Sequence, residues 1–63
     1  MDITTAIGRM RNRDQYLQTK IAAAPEGKSY WFEHDREAIA LAISALIYLQ
    51  QMNEYEASQT TPQ

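Results

Sequence analysis

Cysteine is absent from these 63 residues and histidine occurs once. The first absence removes disulfides and thiolate metal sites together. The second leaves too few ligands for zinc, which takes three or four from the protein. Glycine and proline number two each, and Pro25 and Gly27 fall together, so the chain carries one strong turn signal in its interior. A bilayer-spanning helix is also missing. The longest apolar run, Ala38 to Leu49, is twelve residues interrupted by Ser44, whereas a span needs about 20. The opening MDITTAIGRM has an acidic second residue and no basic stretch before an apolar run, so it does not read as a signal peptide. A cytoplasmic protein with no membrane contact and no cofactor is expected.

Positive charge is scarce in the second half. From Ser29 onward Arg36 alone opposes Glu33, Asp35, Glu37, Glu54 and Glu56, a net −4. From Met1 to Lys28 five cations face Asp2, Asp14 and Glu26, a net +2, and the two halves give the overall −2. That asymmetry favours antiparallel or inter-subunit pairing of the halves and can also steer a charged partner.

What is present is helix-forming sequence with heptad spacing. Ile3, Ile7, Met10, Asp14, Leu17, Ile21 and Ala24 alternate by four and three, a seam with one polar interruption. The pattern predicts a first helix over about 3–23, capped by Asp2 and ended at Ala24-Pro25, because proline disfavours helical geometry in the residue before it. A turn over 24–29 follows. The run DREAIALAISALIYLQQMNEYEA contains no glycine or proline and predicts a second helix over about 30–57, starting after either Ser29 or Asp35. Residues 58–63 lack apolar side chains and are expected to be disordered. The fold class is therefore all-α, one antiparallel two-helix hairpin over residues 1–57.

The second helix is apolar on several sides. One stripe holds Ile39, Ile43 and Leu46; a second holds Ala38, Ala42, Ala45, Leu49 and Met52; a third holds Leu41, Tyr48 and Tyr55. A helix facing one partner needs a single stripe, and the first helix can cover one side. A chain this short buries only about 60% of the surface its unfolded form exposes. With no disulfide and no metal, self-association is the remaining route to stability. The expected assembly is a homodimer forming an antiparallel four-helix bundle, with Ala38, Leu41, Ala42, Ala45, Tyr48, Leu49 and Met52 at the self-contact.

Three groups of residues are candidates for function. Tyr30-Trp31-Phe32, with His34, is an aromatic corner; consecutive residues lie about 100° apart on a helix, so the three rings cannot share one face. Aromatic side chains of this kind anchor protein interfaces. The alternative is that they close the open end of the hairpin core. Arg9, Arg11, Arg13 and Lys20 form the basic cluster, and Arg9 and Arg13 share a face while Arg11 points elsewhere. Such a cluster is a solvated face or an ion-pairing one, and as a nucleic-acid site it lacks the several convergent cations and the base-reading motif that binding needs. Glu33, His34 and Glu37 have a spacing that helix starts commonly show and no second histidine, so neither a metal site nor an acid–base pair is expected. Asp14 sits in the seam, either fixing register with Tyr48 or another subunit's arginine, or lying at the seam's edge.

The segment SYWFEHDREAIALAISALIYLQQMNEYEA, the proline–glycine turn and the overall size resemble the small helical proteins encoded in the early exo–xis region of lambdoid phages. That resemblance implies an early protein of the host cytoplasm that influences host takeover or the lysis–lysogeny choice through contacts with other proteins. The Asp35-Arg36-Glu37 entry into an alanine- and leucine-rich helix is also similar to helical-hairpin phage proteins that sequester cyclic nucleotides. The expected function is a small non-enzymatic regulator or adaptor acting on an unidentified protein partner. Nucleic-acid association through Arg9, Arg11, Arg13 and Lys20 is the alternative, and capture of a small ligand between subunits is a third.

Overall fold

A computed structural model describes residues 1–59. Two helices pack against each other, α1 over Ile3–Ala23 and α2 over Tyr30–Gln59, with no strand among the described residues. Asp2 is the N-cap of α1. It is extended, its Oδ1 accepts the Thr5 N–H at 2.7 Å, and its carbonyl accepts the Ala6 N–H at 3.0 Å. The first satisfies one of the amide groups that a helix start leaves without partners, and the second is the first internal bond of the helix.

The turn follows from two residues. Ala24 is extended (φ −72°, ψ 143°), the geometry required before Pro25. The Lys28 N–H then donates to the Pro25 carbonyl at 2.9 Å while Gly27 sits at φ +80°, which is a type II turn with glycine where φ must be positive. Ser29 opens α2: its carbonyl accepts the Glu33 N–H at 3.0 Å and its hydroxyl donates to Glu33 Oε2, also at 3.0 Å. Of the two possible starts, the earlier one forms. Glu33 in the first turn adds a favourable charge at the positive end of the helix dipole.

The α1 seam is as the spacing predicts. Ile7 and Leu17 are buried, and Ile3, Met10, Asp14, Ile21 and Ala24 are half-buried. On α2 the facing residues are Phe32, Arg36, Ile39, Ile43, Leu46 and Gln50, again alternating by four and three and again half-buried. The helices differ in length. At 1.5 Å per residue, α1 is about 32 Å long and α2 about 45 Å. Gln50 Nε2 donates to Thr4 Oγ1 at 2.8 Å, so α1 begins opposite Gln50 and α2 continues beyond it, with Gln51–Gln59 exposed throughout.

The disorder expected from Ser58 onward does not hold for Ser58 and Gln59, which continue α2. Neither residue breaks a helix, and the next proline is Pro62. Residues 60–63 lie outside the described residues.

Gly8 is helical, and a Cβ built on it meets nothing within 4 Å. Gly8→Ala should therefore stabilise the hairpin by about 1 kcal/mol, the helix-propensity difference, read as a higher urea midpoint with an unchanged slope. A lower midpoint would show that something unseen packs there.

Candidate functional site

Asp14 occupies the seam and finds its partner within the chain. Arg36 Nε donates to Asp14 Oδ1 at 2.8 Å and Arg36 Nη2 to Oδ2 at 3.3 Å, a bidentate pair between the helices, and Gln18 Nε2 adds a bond to Oδ2 at 3.0 Å. The expected partners, Tyr48 or an arginine of another subunit, are both replaced by Arg36. Arg36 is four residues after Phe32 and three before Ile39, so it is in phase with the apolar residues that face α1. The pair also runs against the charge asymmetry, joining an acid of the basic half to the one cation of the acidic half.

The Arg36 guanidinium, and secondarily Gln18, hold the Asp14 carboxyl below its usual range. Hydrogen bonds from Thr5, its backbone amide foremost, do the same for Asp2. Both folded values are depressed, so this stabilisation is complete above the unfolded carboxylate range and is lost as pH falls below about 4. Between pH 5 and pH 2 the melting temperature should fall, and Asp14→Asn should fall less over the same window. Parallel pH profiles for the two proteins would contradict the role given to this pair.

A groove beside the pair is lined by Asp14, Ile21, Glu33, Arg36, Glu37, Ala40 and Ile43. It holds one ion pair and two carboxylates but no nucleophile–base couple. Among the described residues no group of three or more His, Asp or Glu side chains could hold a metal ion, and Glu33, His34 and Glu37 form no such group. Among the described residues, too, no helix is long and apolar enough to cross a membrane.

The largest uncovered feature is the outer face of α2. Leu41 is 74% exposed, Tyr48 and Tyr55 61% each, and Leu49 and Met52 are exposed beside them; no residue of α2 is buried. Ala38 and Ala45 are also exposed on this face, and Ala42 is half-buried at its border with α1. In sequence, Trp31, His34, Ala38, Leu41, Ala45, Tyr48, Met52 and Tyr55 alternate by three and four. They form a second complete heptad stripe, roughly 150° around the helix from the stripe that faces α1.

The aromatic corner is smaller than expected by one residue. Tyr30 and Trp31 meet edge to face with centroids 5.0 Å apart, and His34 lies 4.3 Å from the Tyr30 ring and 6.1 Å from the Trp31 ring. Trp31 is 74% exposed. Phe32 does not join them. It falls in phase with Arg36 and Ile39 and is half-buried on the side of α1.

On α1, Arg9, Arg13, Tyr16 and Lys20 share one exposed stripe. The Arg13 guanidinium lies 4.8 Å and the Lys20 ammonium 5.3 Å from the Tyr16 ring centre. Arg11 is set apart, lining a second groove with Thr4, Ile7, Gly8, Ile47 and Gln50. Two of the four basic candidates, Arg13 and Lys20, thus converge on a tyrosine that a search for cations alone passes over, and Arg9 continues their stripe.

No family model, curated protein or solved structure matches this chain.

Proposed function

We propose that the chain is a small non-enzymatic interaction protein that associates with a second copy of itself and serves as a regulator or adaptor through contacts with another protein. One observation carries the reading: the continuous stripe of large exposed apolar side chains on α2, Leu41, Tyr48 and Tyr55 with Trp31, opposite the side that α1 covers. Contiguous apolar surface of this kind on a soluble chain marks an interaction site, and a hairpin whose buried side chains are Ile7 and Leu17 needs further burial to be stable. Pairing two copies through α2 gives a four-helix dimer in which the two α2 helices lie between the two α1 helices, a layer and not the closed bundle that the sequence suggests. The aromatic cluster Tyr30, Trp31 and His34 and the charged outer side of α1 are the surfaces offered to a partner. The setting, an early phage protein acting in the host cytoplasm on takeover or the lysis–lysogeny choice, is supported by the resemblance of the second-helix segment and hairpin turn.

Sedimentation equilibrium from about 1 to 100 μM tests self-association. A dimer mass at the upper end supports it, and a fully helical monomer throughout overturns it. A second reading is favoured by Arg13 and Lys20 meeting at Tyr16 on one exposed stripe with Arg9, duplicated on a dimer: contact with nucleic-acid phosphates. Such binding weakens steeply with salt, so mobility-shift titrations at two salt concentrations decide it, and no shift at low salt removes it.

A further inference from the structure

We infer that a second copy of this chain covers the outer face of α2 in antiparallel register, with the two-fold axis at the level of Ile43, so that Trp31 packs on the partner's Tyr55 at each end. This inference rests on the self-association reading above and adds its orientation, its register and the residues that meet.

The register follows from side-chain size. In an antiparallel helix pair, the two kinds of seam position alternate across each layer. One kind on this stripe is Trp31, Ala38, Ala45 and Met52; the other is His34, Leu41, Tyr48 and Tyr55. Placing the axis at Ile43 sets Ala38 against the partner's Tyr48 and Ala45 against the partner's Leu41. Each alanine then makes room for a large neighbour. Met52 meets the partner's His34, and Trp31 meets the partner's Tyr55. A parallel pair in register would stack Tyr48 on its own copy and Ala38 on its own copy, crowding some layers and leaving voids in others, both of which close packing penalises.

Charge selects the same orientation. In the antiparallel register Glu33, Asp35 and Glu37 lie level with the partner's Asn53, Gln51 and Leu49, none of them charged. Glu54 and Glu56 come to the start of the partner's α2, the positive end of its dipole, near the partner's Lys28. A parallel pair would set every one of these acids beside its own copy, with Glu54 and Glu56 at two negative helix ends.

The register also accounts for the length mismatch. Gln51–Glu56 extend past the start of α1 and are exposed, with Met52 and Tyr55 among them. In the antiparallel dimer this overhang lies along the partner's aromatic corner, and two unexplained exposures cover each other. The area suffices. Trp31, Tyr48 and Tyr55 are side chains of about 200 Å² each, exposed by 74%, 61% and 61%. They supply on the order of 400 Å² per copy toward the roughly 800 Å² a stable interface takes from each partner, and Leu41, Leu49, Met52 and the alanines supply much of the rest. Because the two stripes of α2 lie nearly opposite, the helices are ordered α1, α2, partner α2, partner α1, and the Arg9–Arg13–Lys20 stripes stay on the outside.

The test is a distance measurement on the intact chain. No native thiol interferes, so Glu54→Cys carries a single nitroxide on the exposed overhang, away from the hairpin's own packing. Double electron–electron resonance, run on a sample whose mass has been fixed by sedimentation, should give about 40 Å between labels: twice the 11-residue offset from the axis at 1.5 Å per residue, combined with about two helix diameters across the pair, because Glu54 continues the α1-facing stripe of each copy. A dimer with labels within about 30 Å, the separation across the pair alone plus the reach of the labels, overturns the antiparallel register and leaves self-association standing. A helical monomer overturns both.

Discussion

Leu17→Ala should leave the hairpin without a cooperative unfolding transition, or with one shifted to the edge of collapse. Leu17 is 1% exposed and is the one fully buried large side chain among the described residues. Large-to-small changes at such sites cost about 2–5 kcal/mol. A domain of this length holds about 3–9 kcal/mol in total, so the substitution removes a large share of what there is. Leu17→Met, which keeps the volume, should cost less than about 1.5 kcal/mol. Urea titrations followed by far-UV circular dichroism read both. A Leu17→Ala loss below 1 kcal/mol would contradict the placement of Leu17 at the centre of the α1–α2 seam.

Leu41→Glu should act elsewhere: it spares the α1–α2 contacts but abolishes association, leaving a monomeric hairpin that melts well below the wild type. At 74% exposure Leu41 touches little within its own chain, and glutamate is a good helix former. In the proposed dimer it packs twice, once from each copy, against an alanine. Burying a leucine is worth about 1.5–3 kcal/mol, so losing two contributes on the order of 4 kcal/mol before any penalty for desolvating the carboxylates. At 1.4 kcal/mol per tenfold, the dissociation constant should rise at least about a hundredfold. A variant that remains dimeric at wild-type concentrations would show that α2 does not use this face. Gln15→Ala, exposed on α1, serves as the control.

Much of the fold is legible in the sequence because its determinants are local. The seam from Ile3 to Ala24, the Asp2 cap and the Ala24-Pro25-Glu26-Gly27 turn each depend on residues within four positions of one another, and the structure has them as the spacing predicts. The pairing across the hairpin is less legible. Asp14 is visible as an oddity, but its partner lies 22 residues away, and Arg36 is hidden because a lone cation among acids reads as surface. The clue is phase: Arg36 stands between Phe32 and Ile39 on one heptad stripe. The same clue places Phe32 beside α1 and takes it out of the aromatic corner. On the outer face, reading Ala38–Met52 and Leu41–Tyr55 as separate stripes conceals that their members interleave into one. The end of α2 is the least legible part, since Ser58 and Gln59 neither favour nor break a helix and follow from continuation alone.

Thermal unfolding at a series of protein concentrations tests the central claim, that folding of this hairpin is completed by a second copy. Because association stabilises the folded form by mass action, the melting temperature of the wild-type chain should rise by several degrees between 2 and 200 μM, and that of Leu41→Glu should stay constant. A wild-type melting temperature independent of concentration would mean that the hairpin stands alone, and the outer face of α2 would then have no role in its stability.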